Sequence, residues 1–183
     1  MKYYKLILAV MLIVFAVLGR ILLTDMPNVE TLTIVALMAG SLLGGIYTVI
    51  VPLSAVALSD MFIGNDPIMI FTWSAWAFVG LLGLLLKNSQ KDYKFGFKMT
   101  GLGIIASLIF FGWTNFGVWA MWNMYPHTWS GLIQCFVMAL PFLKMSLIGN
   151  LIIVPSVSFT LVAVRNFIKA RSENQVKQLV NIK

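Results

Sequence analysis

The stretch "LTIVALMAGSLLGGIYTVIVPLSAVALSDMFI", residues 32–63, is a long apolar block whose reading decides how often the chain crosses a membrane. A spanning helix needs about 20 apolar residues, and ~17 can suffice. The block is too long for one ordinary span and short for two full ones. Gly44 and Gly45 near its middle favour a tight turn. It therefore reads as two short helices, 31–43 and 46–63.

Upstream, residues 6–23 form a first span containing Arg20, which "TDMPNVE" interrupts around Pro27. No small-x-small cleavage pattern follows this run, so it is read as a retained span. Downstream, "IGNDP" ends the block and residues 68–86 make a fourth span. The polar, basic linker "KNSQKDYKFGFK" leads into a fifth span at 97–121. An outer segment at 122–144 follows, with Pro126 and Pro141 bracketing a short amphipathic helix. The sixth span is 146–168 and residues 169–183 form a solvated tail, all within a single transmembrane domain covering 1–183. The two halves do not mirror each other, which argues against a self-contained inverted-repeat transporter.

Composition agrees with this reading. The chain is 60% hydrophobic and only 10% charged, with a mean hydropathy of +0.93. A soluble domain carries about 25% charged residues. In lipid, backbone polar groups must be satisfied within each segment, so the spans are helices. The expected fold is an all-α integral membrane protein, a bundle of about six transmembrane helices.

The net charge of +7 reports orientation and gives no reason to expect a nucleic-acid partner. Eleven of the thirteen basic residues fall in the N-terminus, the 87–98 linker and the tail; the others are Arg20 and Lys144. Under the positive-inside rule both termini and that linker are cytoplasmic. Asp25, Glu30, Asp60, Asp66, His127 and the tryptophan-rich segment then lie outside. Five spans would split the lysine linker from the tail.

Catalytic signatures are scarce. The sequence has no phosphate-binding GxxxxGK[ST] loop, no HExxH and no GxSxG, so no enzymatic activity and no cofactor are expected. One cysteine, Cys135, and one histidine exclude a Cys- or His-rich metal cage within the chain. No metal site is expected.

The polar residues collect at the outer end. Asp60 caps a span, or else takes part in an ion pair or ligand site. Arg20 breaks the positive-inside pattern; it either snorkels to the headgroups or forms an ion pair with Asp25 or Asp60. "WTNFGVWAMWNMYPHTWSG", residues 113–131, holds four tryptophans and the single histidine. An aromatic belt at the membrane interface explains Trp119, Trp122, Tyr125 and Trp129. It explains Asn115 poorly. By helical spacing Asn115, Trp119 and Trp122 share a face, where an amide and two indoles suit a planar ligand.

The pattern "TNFGVWAMWNMYPHTWSGLIQCFVMALPFLKMSLIGN" resembles an uncharacterised prokaryotic six-helix membrane family with a TNFGVW motif, a Tyr-Pro turn, an ALPF-type motif and a final LGD. Here Asn150 stands where the family pattern has its last aspartate. The family is similar to the substrate-binding subunits (S components) of energy-coupling factor transporters. That resemblance implies a multi-pass protein of a prokaryotic plasma membrane, capturing a vitamin or precursor for uptake. Its partners would be the lipid bilayer, the small-molecule ligand, and a separate membrane coupling subunit with ATPases. The ligand-binding residues would be Asn115, Trp119, Trp122 and His127, with Asp60 closing the site. The rival expectation is an accessory structural subunit of a larger membrane complex, with no ligand chemistry of its own.

Overall fold

The structure is a computed structural model that describes residues 2–26, 28–87 and 93–181. The expected stop at Pro27, the centre of the linker with Lys91, and Lys183 lie outside the described residues. Six helices follow in order: α1 Lys2–Leu22, α2 Leu32–Met38, α3 Tyr47–Ile63, α4 Met69–Gly83, α5 Lys94–Met121 and α6 Trp129–Asn181. A π turn, Ala39–Leu43, extends α2, and a 3-10 turn, Leu84–Leu86, extends α4. No strand occurs among the described residues.

The apolar block divides where the glycines stand. Gly44 and Gly45 take φ of 64° and 57°, left-handed values that side chains disfavour, and reverse the chain between α2 and α3. Among the described residues, four helices are long and apolar enough to cross a membrane: α1, α4 with its terminal turn, α5 and α6. Leu32–Leu43 and Tyr47–Ile63 are shorter apolar helices. At ~1.5 Å per residue the first of these rises only about 18 Å, against roughly 30 Å of bilayer core.

That short helix is the hub. Every residue of Leu32–Met38 is buried, and α2 touches each of the other five helices. A helix apolar on all sides is stable only when enclosed. The core around it includes Leu12 and Ala16 of α1, Val51 and Ala55 of α3, Trp76 and Val79 of α4, Met99 of α5 and Val154 of α6. Helix α4 approaches both α3 and α2 backbone to backbone. A Cβ on Gly80 would strike the Thr48 carbonyl oxygen, and one on Gly83 the Leu37 carbonyl oxygen. Gly103 meets Val154 on α6, whereas Gly101 faces open space and contributes no close approach.

The longest departure from expectation is α6. The separate short helix in 122–144 and the sixth span at 146–168 are one continuous helix, which passes through Pro141 and Pro155. Proline removes one backbone hydrogen bond at each site, but packing against α5 holds the helix together. Gly131, Cys135 and Ala139, then Asn150, Val154, Ser158 and Val162, recur every fourth residue as the buried stripe of α6. Asn150 Nδ2 donates to Ser107 Oγ of α5 at 2.7 Å, and Ser158 Oγ donates to the Val154 carbonyl at 2.7 Å.

Antiparallel packing sorts the charges. Lys5 Nζ donates to the Leu43 carbonyl at 3.1 Å, where it also favours a helix C-terminus. Lys87 lies beside Gly44 at the same end. Asp25, Glu30, Asp60 and Asp66 belong to the opposite, Arg20 end. Along the sides, Ile7, Val10, Met11, Leu81, Leu85, Leu108 and Ile152 are among the many exposed apolar residues. Together with four helices long and apolar enough to cross a membrane, this shell supports a membrane protein.

Candidate functional site

At the Arg20 end, the loop between α1 and α2 roofs an open cavity of about 240 Å³. The loop begins in a tight turn: Leu23 N donates to the Gly19 carbonyl and Met26 N to the Leu23 carbonyl. Thr24 Oγ1 reaches back to the carbonyls of Arg20 and Ile21 at 3.0 and 2.8 Å. Asn28 takes a left-handed φ of 61°, a conformation asparagine tolerates better than most residues. Two close approaches fix the far side of the loop. Val29 lies against Gly149 of α6, and Thr31 packs on Gly19, with its Oγ1 3.3 Å from the Ala16 carbonyl. Glu30 is held between these anchors.

The polar centre is a guanidinium set between two carboxylates. Arg20 Nη1 donates to Asp60 Oδ1 at 2.9 Å and to Ser59 Oγ at 2.6 Å. Arg20 Nε lies 3.7 Å from Glu30 Oε2. The second Asp60 oxygen accepts from the Trp73 indole of α4 at 2.9 Å. Side-chain exposure is 18% for Arg20, 9% for Asp60 and 20% for Glu30. Burial pushes the Glu30 carboxyl up to about 7; Arg20 opposes this and Asp60 adds to it. Arg20, Thr24, Asn28 and Glu30 supply the polar wall of the cavity, and Leu23, Met26, Val29, Ile63 and Phe110 the apolar one. Few polar groups on an apolar wall is the usual make-up of a small-molecule site.

The residues singled out from sequence are distributed over three places. Arg20 and Asp60 meet here. Asp25 does not join them: it sits in the turn closing α1, is exposed, and Glu30 takes the second position on Arg20. Asn115 lines a much smaller cavity of about 30 Å³ between α5 and α6, with Ser107, Thr114 and Ser146. This space shares Asn28 and Phe110 with the larger cavity. Asn115 Nδ2 donates to the Phe111 carbonyl of its own helix at 2.8 Å.

Trp119 and His127 line a third open cavity of about 300 Å³ with Phe116, Thr128, Trp129 and Leu132. The Trp119 indole donates to the Pro126 carbonyl at 3.0 Å, and its ring meets His127 edge-on, centroids 5.6 Å apart. Trp119 thus pins the 122–128 loop to α5. Trp122 lines none of these spaces. Trp122 is the C-cap of α5, which ends at Met121: its N–H bonds to the Val118 carbonyl at 3.0 Å while its own backbone is extended, with φ −105° and ψ 139°. Helical spacing no longer applies past that point. Trp113 donates to Ser74 Oγ at 2.8 Å and packs with Phe71 and Phe78, joining α4 to α5.

Sequence reasoning missed Glu30, Ser59, Trp73 and Asn28 as members of the polar centre. The available signal was Glu30 itself, an acid placed between apolar Val29 and the run "TLTIVALM". Among the described residues no three of His, Cys, Asp and Glu gather to hold a metal ion.

The described residues form an all-helical protein with four helices long and apolar enough to cross a membrane and a polar pocket beneath its first loop. The chain belongs to DUF6580, a family of unknown function whose model matches residues 2–173. Comparison with curated proteins and with solved structures found no match.

Proposed function

We propose that the protein is a substrate-binding membrane subunit that captures a small nutrient, such as a vitamin or its precursor, in the pocket beneath the 23–31 loop. In this reading it acts like an energy-coupling factor S component, with separate subunits supplying ATP hydrolysis. The pocket faces the outside of a prokaryotic plasma membrane, because the basic Lys5 and Lys87 end takes the cytoplasmic side under the positive-inside rule. One observation carries the proposal: a cavity of about 240 Å³ that joins a charged wall to an apolar one at the acid-bearing end of the bundle.

The test is extraction of small molecules from the purified protein, followed by mass spectrometry. Ile63 is exposed and lines the cavity, so Ile63→Trp fills it while leaving the Arg20 cluster in place. A compound bound stoichiometrically to wild type and absent from Ile63→Trp supports capture. Identical extracts from the two proteins overturn it.

One feature favours the rival reading of an accessory subunit in a larger membrane complex. Past Val162, α6 continues to Asn181, and Val164, Phe167 and Ile168 are exposed. At ~1.5 Å per residue this arm is nearly 30 Å long, and it lies at the Lys87 end. Affinity purification separates the two readings. ATPase subunits bound through the arm fit the transporter, and a stoichiometric assembly without them fits the accessory role.

A further inference from the structure

We infer that the pocket selects a ligand bearing a protonated amine, which seats against Glu30 with its apolar body towards Ile63 and Phe110; this rests on the capture reading above. The charge balance points there first. One guanidinium faces two carboxylates, so the cluster carries one uncompensated negative charge when Glu30 is ionised. Hydrogen bonding shows where that charge is accessible. Asp60 has one oxygen on Arg20 and the other on Trp73, and it is nearly enclosed. Glu30 lines the cavity, and its nearer oxygen stands 3.7 Å from Arg20 Nε, beyond hydrogen-bonding range. An ionised carboxylate accepts at about four lone-pair sites, more than Arg20 Nε at 3.7 Å can occupy. An ammonium group is the complement. A carboxylate ligand would meet Glu30 and Asp60 as like charges.

The same geometry makes binding depend on pH. Among the described residues, the ionisable groups acting on Glu30 from the packed elements are Arg20 of α1 and Asp60 of α3. Around them α4 contributes Trp73, α5 Phe110 and α6 Gly149, none of them ionisable. Asp25 in the same loop and Lys144 on α6 are exposed. With the Glu30 carboxyl raised to about 7, a proton and a ligand ammonium compete for one site near neutrality. Affinity for the amine therefore rises with pH as Glu30 ionises.

The experiment is calorimetric titration of the full chain in lipid nanodiscs with three probes of one size: benzylamine, benzyl alcohol and benzoate. Measurements at about pH 5.5 and about pH 8.5 bracket the Glu30 transition, and benzylamine is cationic at both. If only the ionised form is competent, its apparent affinity rises about thirtyfold between them, by the change in ionised fraction. The expected result is preference for benzylamine, that pH slope, and loss of both in Glu30→Gln but not in the exposed control Asp25→Asn. Preference for benzoate or benzyl alcohol overturns the amine assignment while leaving capture intact. A pH-independent benzylamine affinity, one unchanged in Glu30→Gln, or no binding of any probe also overturns the assignment. Failure of capture itself is read separately, from the extraction with Ile63→Trp.

Discussion

Replacing Arg20 with alanine removes the donor that joins three segments of chain. Asp60 loses its 2.9 Å partner and keeps only the Trp73 indole, Ser59 loses a 2.6 Å contact, and Glu30 loses its counter-charge. Breaking a buried pair costs about 3–5 kcal/mol, whereas an exposed one is worth about 0–1 kcal/mol. Arg20 and Asp60 are 18% and 9% exposed, closer to the buried case, so about 3 kcal/mol is expected. For a chain of this size each kcal/mol lowers Tm by roughly 2–4 °C, which makes the expected drop about 6–12 °C. The assay is thermal unfolding in detergent and again in lipid, followed by a cycle with Asp60→Asn, which preserves an acceptor for Trp73. Non-additivity of about 1–3 kcal/mol between the two substitutions is the signature of a direct pair. A melting temperature within about 1 °C of wild type in both media refutes the reasoning and leaves Arg20 as a headgroup-seeking side chain.

Glu30 sets a pH dependence of stability. Its folded pKa of about 7 lies above the ordinary 4.5, so between those values the folded state binds more protons than the unfolded one. Its contribution to stability is then full below about 4.5 and is lost as pH rises through about 7; Glu30→Gln should flatten that decline in a series of melts across the window. Gly80→Ala forces a methyl into the Thr48 carbonyl oxygen, and overpacking of this kind typically costs about 1–3 kcal/mol. Gly101→Ala, in open space on the same kind of helix, should be neutral or stabilise by up to about 1 kcal/mol, and melts of the two variants decide the point. In a Cys135→Ser background, Lys91→Cys and His127→Cys should label from opposite sides of the membrane; labelling from one side overturns the proposed orientation.

Those elements that depend on local chemistry were legible in the sequence. Paired glycines in an apolar block announce a reversal, and the helix bounds at 46–63 and 68–86 follow from apolar runs ending in "IGNDP" and in a basic linker. Arg20 was conspicuous because a lone cation among apolar residues calls for a partner. Its second carboxylate was not, because the choice between Asp25 and Glu30 is made by Val29 and Thr31 seating on Gly149 and Gly19, contacts remote in sequence. The tryptophan cluster is harder to read for a related reason. Helical spacing predicts a shared face only while the helix lasts, and α5 ends between Trp119 and Trp122. Proline likewise marks a helix break in water, but an α5 surface spaced to receive Cys135, Ala139 and Val154 carries α6 through both prolines.

The enclosure of α2 has a consequence for biogenesis. A segment that rises only about 18 Å is a poor substrate for insertion alone, so insertion as a hairpin with α3, closed by Gly44 and Gly45, is the expected route. Its permanent neighbours α4, α5 and α6 are synthesised later. Until they arrive, the hub faces lipid and the loop above it has no Gly149 on which to seat Val29. The pocket roof is thus among the last parts to form, and a chain truncated before α6 should insert in the membrane yet lack the site.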